Sequence, residues 1–369
     1  MKKKKICIVA LSRFETPSGI CRYAFNLAQI ISKIPNTEVF FVIGKWQAHY
    51  FENSFQINTL GININIIDIS NSSINRNIWF FIGLPILTRK IKAKYLFLTF
   101  PIPIFKFLFN KLKIITSVHD LYAFEFPENF KMPFFNRLFT IISIRNANKV
   151  SSLSNVTTKK INKYFPESSN KVITNYTPFA YSPIIENYNI VNASNEYILT
   201  VAQHRKNKNL DILIQAYGVY KKQTKSKLKL IIVGSNGPET NNLLNLTKEL
   251  YLEMDISFKH GVSDEDLKKY YLNCKCFFLL SSTEGLGLPL IESLYYSKSI
   301  ICSDIEVFRE VDEENCNFVE LENNPIGQIV DYLRDGYKPN FKFGLQDNRF
   351  DIQTIRKNYE SLINEENIQ

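Results

Sequence analysis

The chain has 369 residues, 45% of them apolar, which exceeds one ordinary core and predicts two domains. Lys and Arg exceed Asp and Glu by ten, so an anionic partner is expected, with nucleic acid, anionic lipid and a phosphorylated substrate all qualifying. No apolar run is long enough to span a membrane, and Lys2-Lys3-Lys4-Lys5 leads into only five apolar residues, too few for a signal peptide.

Ile6-Cys7-Ile8-Val9-Ala10 has the pattern of a core parallel strand. Pro17-Ser18-Gly19 then opens a helical pattern through Phe25, Leu27, Ala28, Ile30 and Ile31. A glycine at a helix start after the first strand favours an anion, although the Gly-x-Gly-x-x-Gly fingerprint of dinucleotide sites is absent. Residues 39–43 and 62–69 are the next strands. From 78 to 113 short apolar runs alternate with Arg89, Lys90, Lys92, Lys94, Lys106, Lys111 and Lys113, and 95–100 fits a core strand. The basic and aromatic residues around it fit an interfacial patch for anionic lipid, or core helices with solvated lysine faces. Residues 113–118 form another strand, with His119-Asp120-Leu121 at its carboxyl end, where ligands bind in open α/β sheets. A helix over 130–146, a strand over 148–154, a helix over 155–165 and a strand over 172–175 follow. Polar, Asn-rich sequence up to Asn195 marks the interdomain linker.

Residues 197–201 restart the pattern with a strand. Gln203-His204-Arg205-Lys206-Asn207-Lys208-Asn209 leads into a helix with apolar Leu210, Leu213, Ile214 and Tyr217. Four cationic or potentially cationic side chains in one loop repel one another unless an anion sits among them; the alternative is a solvated basic loop. Residues 228–233 form a strand ending in the turn Gly234-Ser235-Asn236-Gly237-Pro238. Ser263-Asp264-Glu265-Asp266 reads as an N-capped helix start rather than a metal-binding Asp-x-Asp. The six cysteines are scattered, and Cys274-x-Cys276 has no second pair at zinc spacing, so reduced, mostly buried thiols of a cytosolic protein are expected.

The apolar strand 276–280 then runs into Ser281-Ser282-Thr283-Glu284-Gly285-Leu286-Gly287-Leu288-Pro289-Leu290-Ile291-Glu292. Glycines let a ligand approach the backbone, and Pro289 suits a first helical turn. Strand, Gly-rich turn and helix N-terminus together make an anion site at the amides of Gly285, Leu286, Gly287 and Leu288. Two carboxylates flank it, which a bare phosphate site would not want. Glu292 suits neutral hydroxyls such as those of a ribose, and Glu284 those of a sugar. A nucleotide-sugar meets all three demands; the plain alternative is a junction with one capping and one surface Glu. Strands at 300–304 and 318–320 follow, then a helix over 325–334 and a last one marked by Ile352, Ile355, Tyr359 and Leu362.

Glu284 and Glu292 around Gly-Leu-Gly-Leu-Pro resemble the signature of glycosyltransferase family 4, in its bacterial surface-polysaccharide type. Gly19-Ile20-Cys21-Arg22-Tyr23, Val118-His119-Asp120-Leu121 with Phe126-Pro127-Glu128, and Lys208-Asn209-Leu210 resemble further family segments. The resemblance implies the α/β GT-B architecture: two Rossmann-like domains whose parallel sheets face an interdomain cleft. Residues 1–177 would bind the acceptor, 178–345 the nucleotide-sugar, and 346–369 would form a helix returning to the first domain. It implies catalytic roles for His119, Asp120 and Glu284, with His119 near the sugar and Asp120 orienting it. Lys208, Arg205, Gly19 and the amides of residues 285–288 would hold the donor diphosphate, Glu292 the donor ribose, and Arg22 and Tyr23 would face the acceptor. The Arg stands nearer the Lys than in commoner members, which leaves His204 and Lys206 as alternatives for a share in its role.

The implied activity is retaining hexosyl transfer from a GDP- or UDP-linked sugar, without metal or other cofactor. The basic segments add the expectation of a lipid-linked glycan acceptor for O-antigen, capsule or lipopolysaccharide, met at the anionic inner face of the cytoplasmic membrane. The alternatives are a nucleotide-sugar epimerase of the same fold and a non-catalytic nucleotide-sugar-binding protein. Nucleic acid is not expected, since no DNA- or RNA-reading motif occurs.

Overall fold

The computed structural model describes residues 3–109, 111–127, 133–177, 197–296, 298–336 and 347–364. The linker expected up to Asn195, Glu128 and the first residues of the helix expected from 130 lie outside them. The chain divides into two units, Met1–Ala180 with Asp347–Gln369, and Tyr181–Gln346.

In the first unit the strands β1 (Lys4–Val9), β2 (Thr37–Gly44), β3 (Asn63–Ile67), β4 (Tyr95–Leu98), β5 (Lys113–Val118), β6 (Lys149–Ser152) and β7 (Val172–Thr174) form one sheet in the order β3-β2-β1-β4-β5-β6-β7. In the second, β8 (Tyr197–Val201), β9 (Lys229–Val233), β10 (Ile256–Lys259), β11 (Cys276–Leu279), β12 (Ser299–Ser303) and β13 (Cys316–Val319) are ordered β10-β9-β8-β11-β12-β13. Every strand pairs in parallel with its neighbours. Parallel sheets are covered on both faces, which explains the unbroken apolar runs: Ile6 to Val9, β4 and β11 are all buried. This is the two-domain GT-B plan of Rossmann-like units.

Strand order reverses between β1 and β4 and again between β8 and β11. Loops leaving two such strands turn to opposite sides and open a crevice at the carboxyl ends, the general ligand position in these sheets. The sequence-expected site residues follow these strands and β5.

β1 begins ahead of its apolar run because Lys4 and Lys5 still pair with Thr37 and Glu38; register, not hydropathy, sets its end. These lysines are tied to the protein itself. Lys4 Nζ donates to the Ile363 carbonyl at 3.1 Å and to Asn364 Oδ1 at 2.9 Å, and Lys5 lies 3.8 Å from Glu38. The last helix, Ile352–Asn364, belongs to the first unit and buries Ile355, Tyr359, Leu362 and Ile363. The six cysteines are free and buried. Among the described residues, no helix is long and apolar enough to cross a membrane.

Candidate active site

In the second unit two loops leave the neighbouring strands β8 and β11. The first makes a short 3-10 turn at Lys206–Lys208, and Asn209 takes a left-handed φ of 48° before the helix Leu210–Thr224. The second ends at Gly287, with φ 85°, before the helix Leu288–Tyr295, which carries Pro289 in its first turn. A Cβ on Gly287 would lie 2.6 Å from the Phe308 ring, so both backbone and space demand glycine there.

The loops are stitched together. The Ser282 amide donates to the Asn207 carbonyl at 2.9 Å, and Asn209 Nδ2 to the Leu280 carbonyl at 2.8 Å. That holds Lys208 over the Glu284 turn, where its Nζ meets Glu284 Oε1. Ser281 Oγ donates to the same oxygen at 2.9 Å. The two charged side chains are only 18% and 16% exposed, so each depends on the other for much of its lost hydration. Ser281 is fully buried, and its carbonyl accepts from Ser303 Oγ at 2.5 Å.

The amides of Leu290 and Ile291 bond the Gly287 carbonyl at 2.9 and 3.3 Å. The amides of Gly287 and Leu288 therefore precede the helical ladder, at the positive end of its dipole. Gly285 and Leu286 are buried in the turn beneath. Glu292 is 9% exposed, and its Oε2 accepts from the Tyr271 hydroxyl at 2.7 Å. Tyr271 is fully buried and stacks on Tyr296 at 5.5 Å. This tyrosine under the second carboxylate was not foreseen.

The other cations of the β8 loop go elsewhere. His204 is fully buried, 3.0 Å from Thr240 Oγ1 through Nδ1, with its ring against Phe258 and His260. Its Nε2 has no hydrogen-bond partner among the described residues. Burial and the neighbouring His260 push its pKa down, which favours the neutral ring. Arg205 and the exposed Lys206 line a cavity of about 460 Å³ with Asp211, Glu239 and Asn242, whereas Lys208 and Glu284 do not line it. The loop thus divides its cations between two places.

In the first unit, His119 follows β5. Its Nε2 lies 2.7 Å from the Thr99 carbonyl, which can only accept, so Nε2 carries the hydrogen. Burial lowers its pKa against the opposing effects of Thr99 and Asp120, leaving a neutral imidazole with Nδ1 as its basic atom. Its ring meets Tyr23 edge-on, with centroids 4.7 Å apart. Asp120 is exposed, and its Oδ1 accepts the Tyr122 amide at 3.0 Å. Thr99 and Tyr23, rather than Asp120, therefore hold the ring by contact.

Tyr23 is 1% exposed, with its hydroxyl 2.8 Å from Ser117 Oγ and 3.1 Å from the Tyr359 hydroxyl. The expected acceptor contact is corrected to a core position behind His119. Arg22 is partly exposed, 4.7 Å over the Phe55 ring. Gly19 is the exposed first residue of the helix Gly19–Ser32, capped by Ser18, and a Cβ there would meet nothing within 4 Å. Its backbone does not require glycine; the space in front of it is open.

Among the described residues, no group of three or more His, Cys, Asp or Glu is placed to hold a metal. Asp264, Glu265 and Asp266 occupy the first turn of the helix Asp264–Asn273, capped by Ser263, as the helix-start pattern predicts.

Residues 184–338 match the family described as glycosyl transferases group 1. The O-antigen chain mannosyltransferase RfbU of Salmonella typhimurium is 26% identical over 310 residues, 82% of this chain and 84% of that protein. Over 153 residues, 39% of this chain and 40% of the relative, 36% of positions are shared with the N-acetylgalactosamine-N,N'-diacetylbacillosaminyl-diphospho-undecaprenol 4-alpha-N-acetylgalactosaminyltransferase of Campylobacter jejuni. Among solved structures, Anabaena HepE in complex with UDP-glucose superposes with a TM-score of 0.72 at 15% identity, covering 97% of this chain and 99% of that one, a likeness of fold.

Proposed function

We propose that this chain, a glycosyltransferase with a group 1 domain at residues 184–338 on a GT-B frame, is a retaining, metal-independent hexosyltransferase of family 4. It moves a hexose from a nucleotide diphosphate sugar to a lipid-linked glycan during O-antigen, capsule or lipopolysaccharide assembly at the inner face of the cytoplasmic membrane. The observation that carries the proposal is the contact of Lys208 with Glu284 beside the N-terminus of the helix Leu288–Tyr295. A cation for phosphate and a carboxylate for sugar hydroxyls meet where backbone amides also converge. The O-antigen relative supports the pathway class, the undecaprenol-linked name of the Campylobacter relative supports a lipid-linked acceptor, and the UDP-glucose complex supports the donor class.

In this mechanism the diphosphate draws Lys208 away from Glu284, and the freed carboxylate takes a sugar hydroxyl. Charge that develops on the departing diphosphate is met by Lys208 and the 285–288 amides, which do the work of a divalent ion. Glu292, oriented by Tyr271, accepts from the ribose. The acceptor hydroxyl attacks from the face the diphosphate leaves, and the leaving phosphate takes its proton, so no covalent nucleophile is needed.

The test is incubation of the purified protein with UDP- and GDP-sugars, with and without a polyprenyl-diphosphate-linked acceptor and EDTA. Sugar incorporation with retained anomeric configuration, acceptor-dependent and insensitive to EDTA, is expected. Conversion of the donor alone would mark an epimerase, and binding without turnover a non-catalytic protein. Loss of activity in EDTA and its rescue by a divalent ion would overturn metal independence.

Ser281 supplies a finer test of the same site. Ser281→Ala removes the neutral donor to Glu284 Oε1 without enlarging the turn. The expected loss is about 1 kcal/mol, or roughly fivefold in kcat/KM, with an unchanged melting profile. Wild-type kinetics in this variant would mean that the serine does not set the carboxylate.

A further inference from the structure

We propose that the first unit inserts a specific ridge into an anionic bilayer, formed by the helical segment from Ser73 to Ile91 and the turn around Phe107. The lipid-linked acceptor reading gives this surface its purpose; the geometry stands apart from that reading.

The segment is a helix Ser73–Ile78, a π turn Trp79–Gly83 and a helix Leu84–Ile91. One side packs inward through Phe80, Leu84 and Ile91. A solvated helix would carry polar residues elsewhere. Instead Ile74, Ile78, Ile82 and Ile86 recur every four residues and are 70%, 51%, 60% and 57% exposed. Four-residue steps on an ideal helix drift by about 40° each. The wider i→i+5 turn at Trp79–Gly83 gives part of that drift back and keeps the isoleucines closer to one line.

The ridge continues onto the next turn. Phe81 stacks on Phe105 at 5.7 Å, and Phe105 on Phe107 at 5.8 Å, with Phe107 79% exposed. Arg89 Nη2 donates to the Leu108 carbonyl at 3.0 Å and fixes the turn to the helix. Single exposed apolar residues need no explanation, but a contiguous row does.

Charge selects the occupant. Between Asp68 and Asp120 the sequence contains eight Lys and Arg and no Asp or Glu. Arg89, Lys90, Lys106 and Lys111 are exposed beside the ridge. A second copy of this face would set two predominantly cationic surfaces against each other, with Glu15, bonded by Asn71 Nδ2 at 2.8 Å, the carboxylate at its Ser73 end. An anionic lipid surface accepts both features: the isoleucines and Phe107 enter the headgroup–acyl boundary while the cations meet lipid phosphates. The lysines that start β1 contribute less than their number suggests, since Lys4 and Lys5 are engaged within the unit.

The experiment is sedimentation of the full chain with phosphatidylethanolamine/phosphatidylglycerol vesicles and with phosphatidylcholine vesicles, at low and high salt. Binding to the anionic vesicles alone, weakened by salt, is expected. The variant Ile78→Gln/Ile82→Gln/Phe107→Gln should lose at least roughly tenfold in affinity, as should Lys90→Glu/Lys106→Glu at low salt. Both should keep wild-type melting and wild-type transfer to a water-soluble acceptor fragment. Unchanged vesicle binding by the glutamine variant overturns the ridge, as does equal binding to both vesicle types. So does a wild-type dimer, seen by light scattering, that this variant dissolves, because the face then belongs to a second copy. Transfer to detergent-dissolved acceptor without vesicle binding removes this surface and leaves the transferase; vesicle binding without any transfer does the reverse.

Discussion

Lys208→Ala lowers kcat/KM for sugar transfer by roughly 100- to 1,000-fold, the usual scale for losing one preorganised group that stabilises a developing anion. The side chain sits on a 3-10 turn rather than in the core, and Glu284 keeps its bond from Ser281, so the fold survives. Nucleoside diphosphate affinity falls with turnover, because the same cation serves both the bound and the departing diphosphate. Lys208→Met, which keeps the stem without the charge, behaves like the alanine variant. Arg205→Ala costs less, since Arg205 lines a different cavity beside Asp211 and Glu239. The double variant with Glu284→Ala loses less than the sum of the two single losses, because each residue acts through the other. Steady-state kinetics over donor concentration measures all of this. A Lys208→Ala enzyme that turns donor over at the wild-type rate would remove the diphosphate assignment.

The Glu284–Glu292 turn was legible because its signals are contiguous. An all-buried strand, the left-handed Gly287 and Pro289 in a first helical turn fall within one short stretch. The β8 loop was legible for the same reason. That both loops serve one diphosphate came from the family resemblance; the direct pairing of Lys208 with Glu284 did not. The contact of Lys208 with Glu284 depends on β8 and β11 being neighbours, and sheet order is a long-range property that loop composition does not encode. The partner of Glu292 was hidden differently: Tyr270 and Tyr271 are adjacent, and only Tyr271 turns inward. Burial of Tyr23 follows from the helical spacing of Tyr23, Leu27 and Ile30, a core face that the Gly-Ile-x-Arg-Tyr segment overlaps.

The segment after β3 defeated pattern reading more thoroughly. Gly83 and Pro85 look like breakers, yet Gly83 is absorbed into the π turn and Pro85 falls in the first turn of the next helix, where a missing amide costs little. The isoleucine row begins at Ile74, ahead of the basic segment, so its period crosses the boundary of the apolar runs.

The largest stability effect is expected at Tyr359. It is fully buried on the helix Ile352–Asn364, with its ring 6.0 Å from Phe97 and its hydroxyl 3.1 Å from that of Tyr23. Burial holds its pKa well above the ordinary tyrosine value, so the hydroxyl stays neutral. Tyr359→Ala removes a large aromatic from a tight site and costs about 3–5 kcal/mol. For a unit of this size that lowers the melting temperature by roughly 10 °C. Tyr359→Phe keeps the ring and loses only the hydrogen bond, about 1 kcal/mol, so it melts close to wild type. The contrast between the variants in calorimetry separates packing from hydrogen bonding. The effect reaches the site because Tyr23, which loses its Tyr359 partner, is the ring against which His119 rests. Below its melting temperature, Tyr359→Ala should therefore also turn over more slowly than Tyr359→Phe. If the alanine variant melts with the wild type, the last helix is an appendage and not part of the first unit's core.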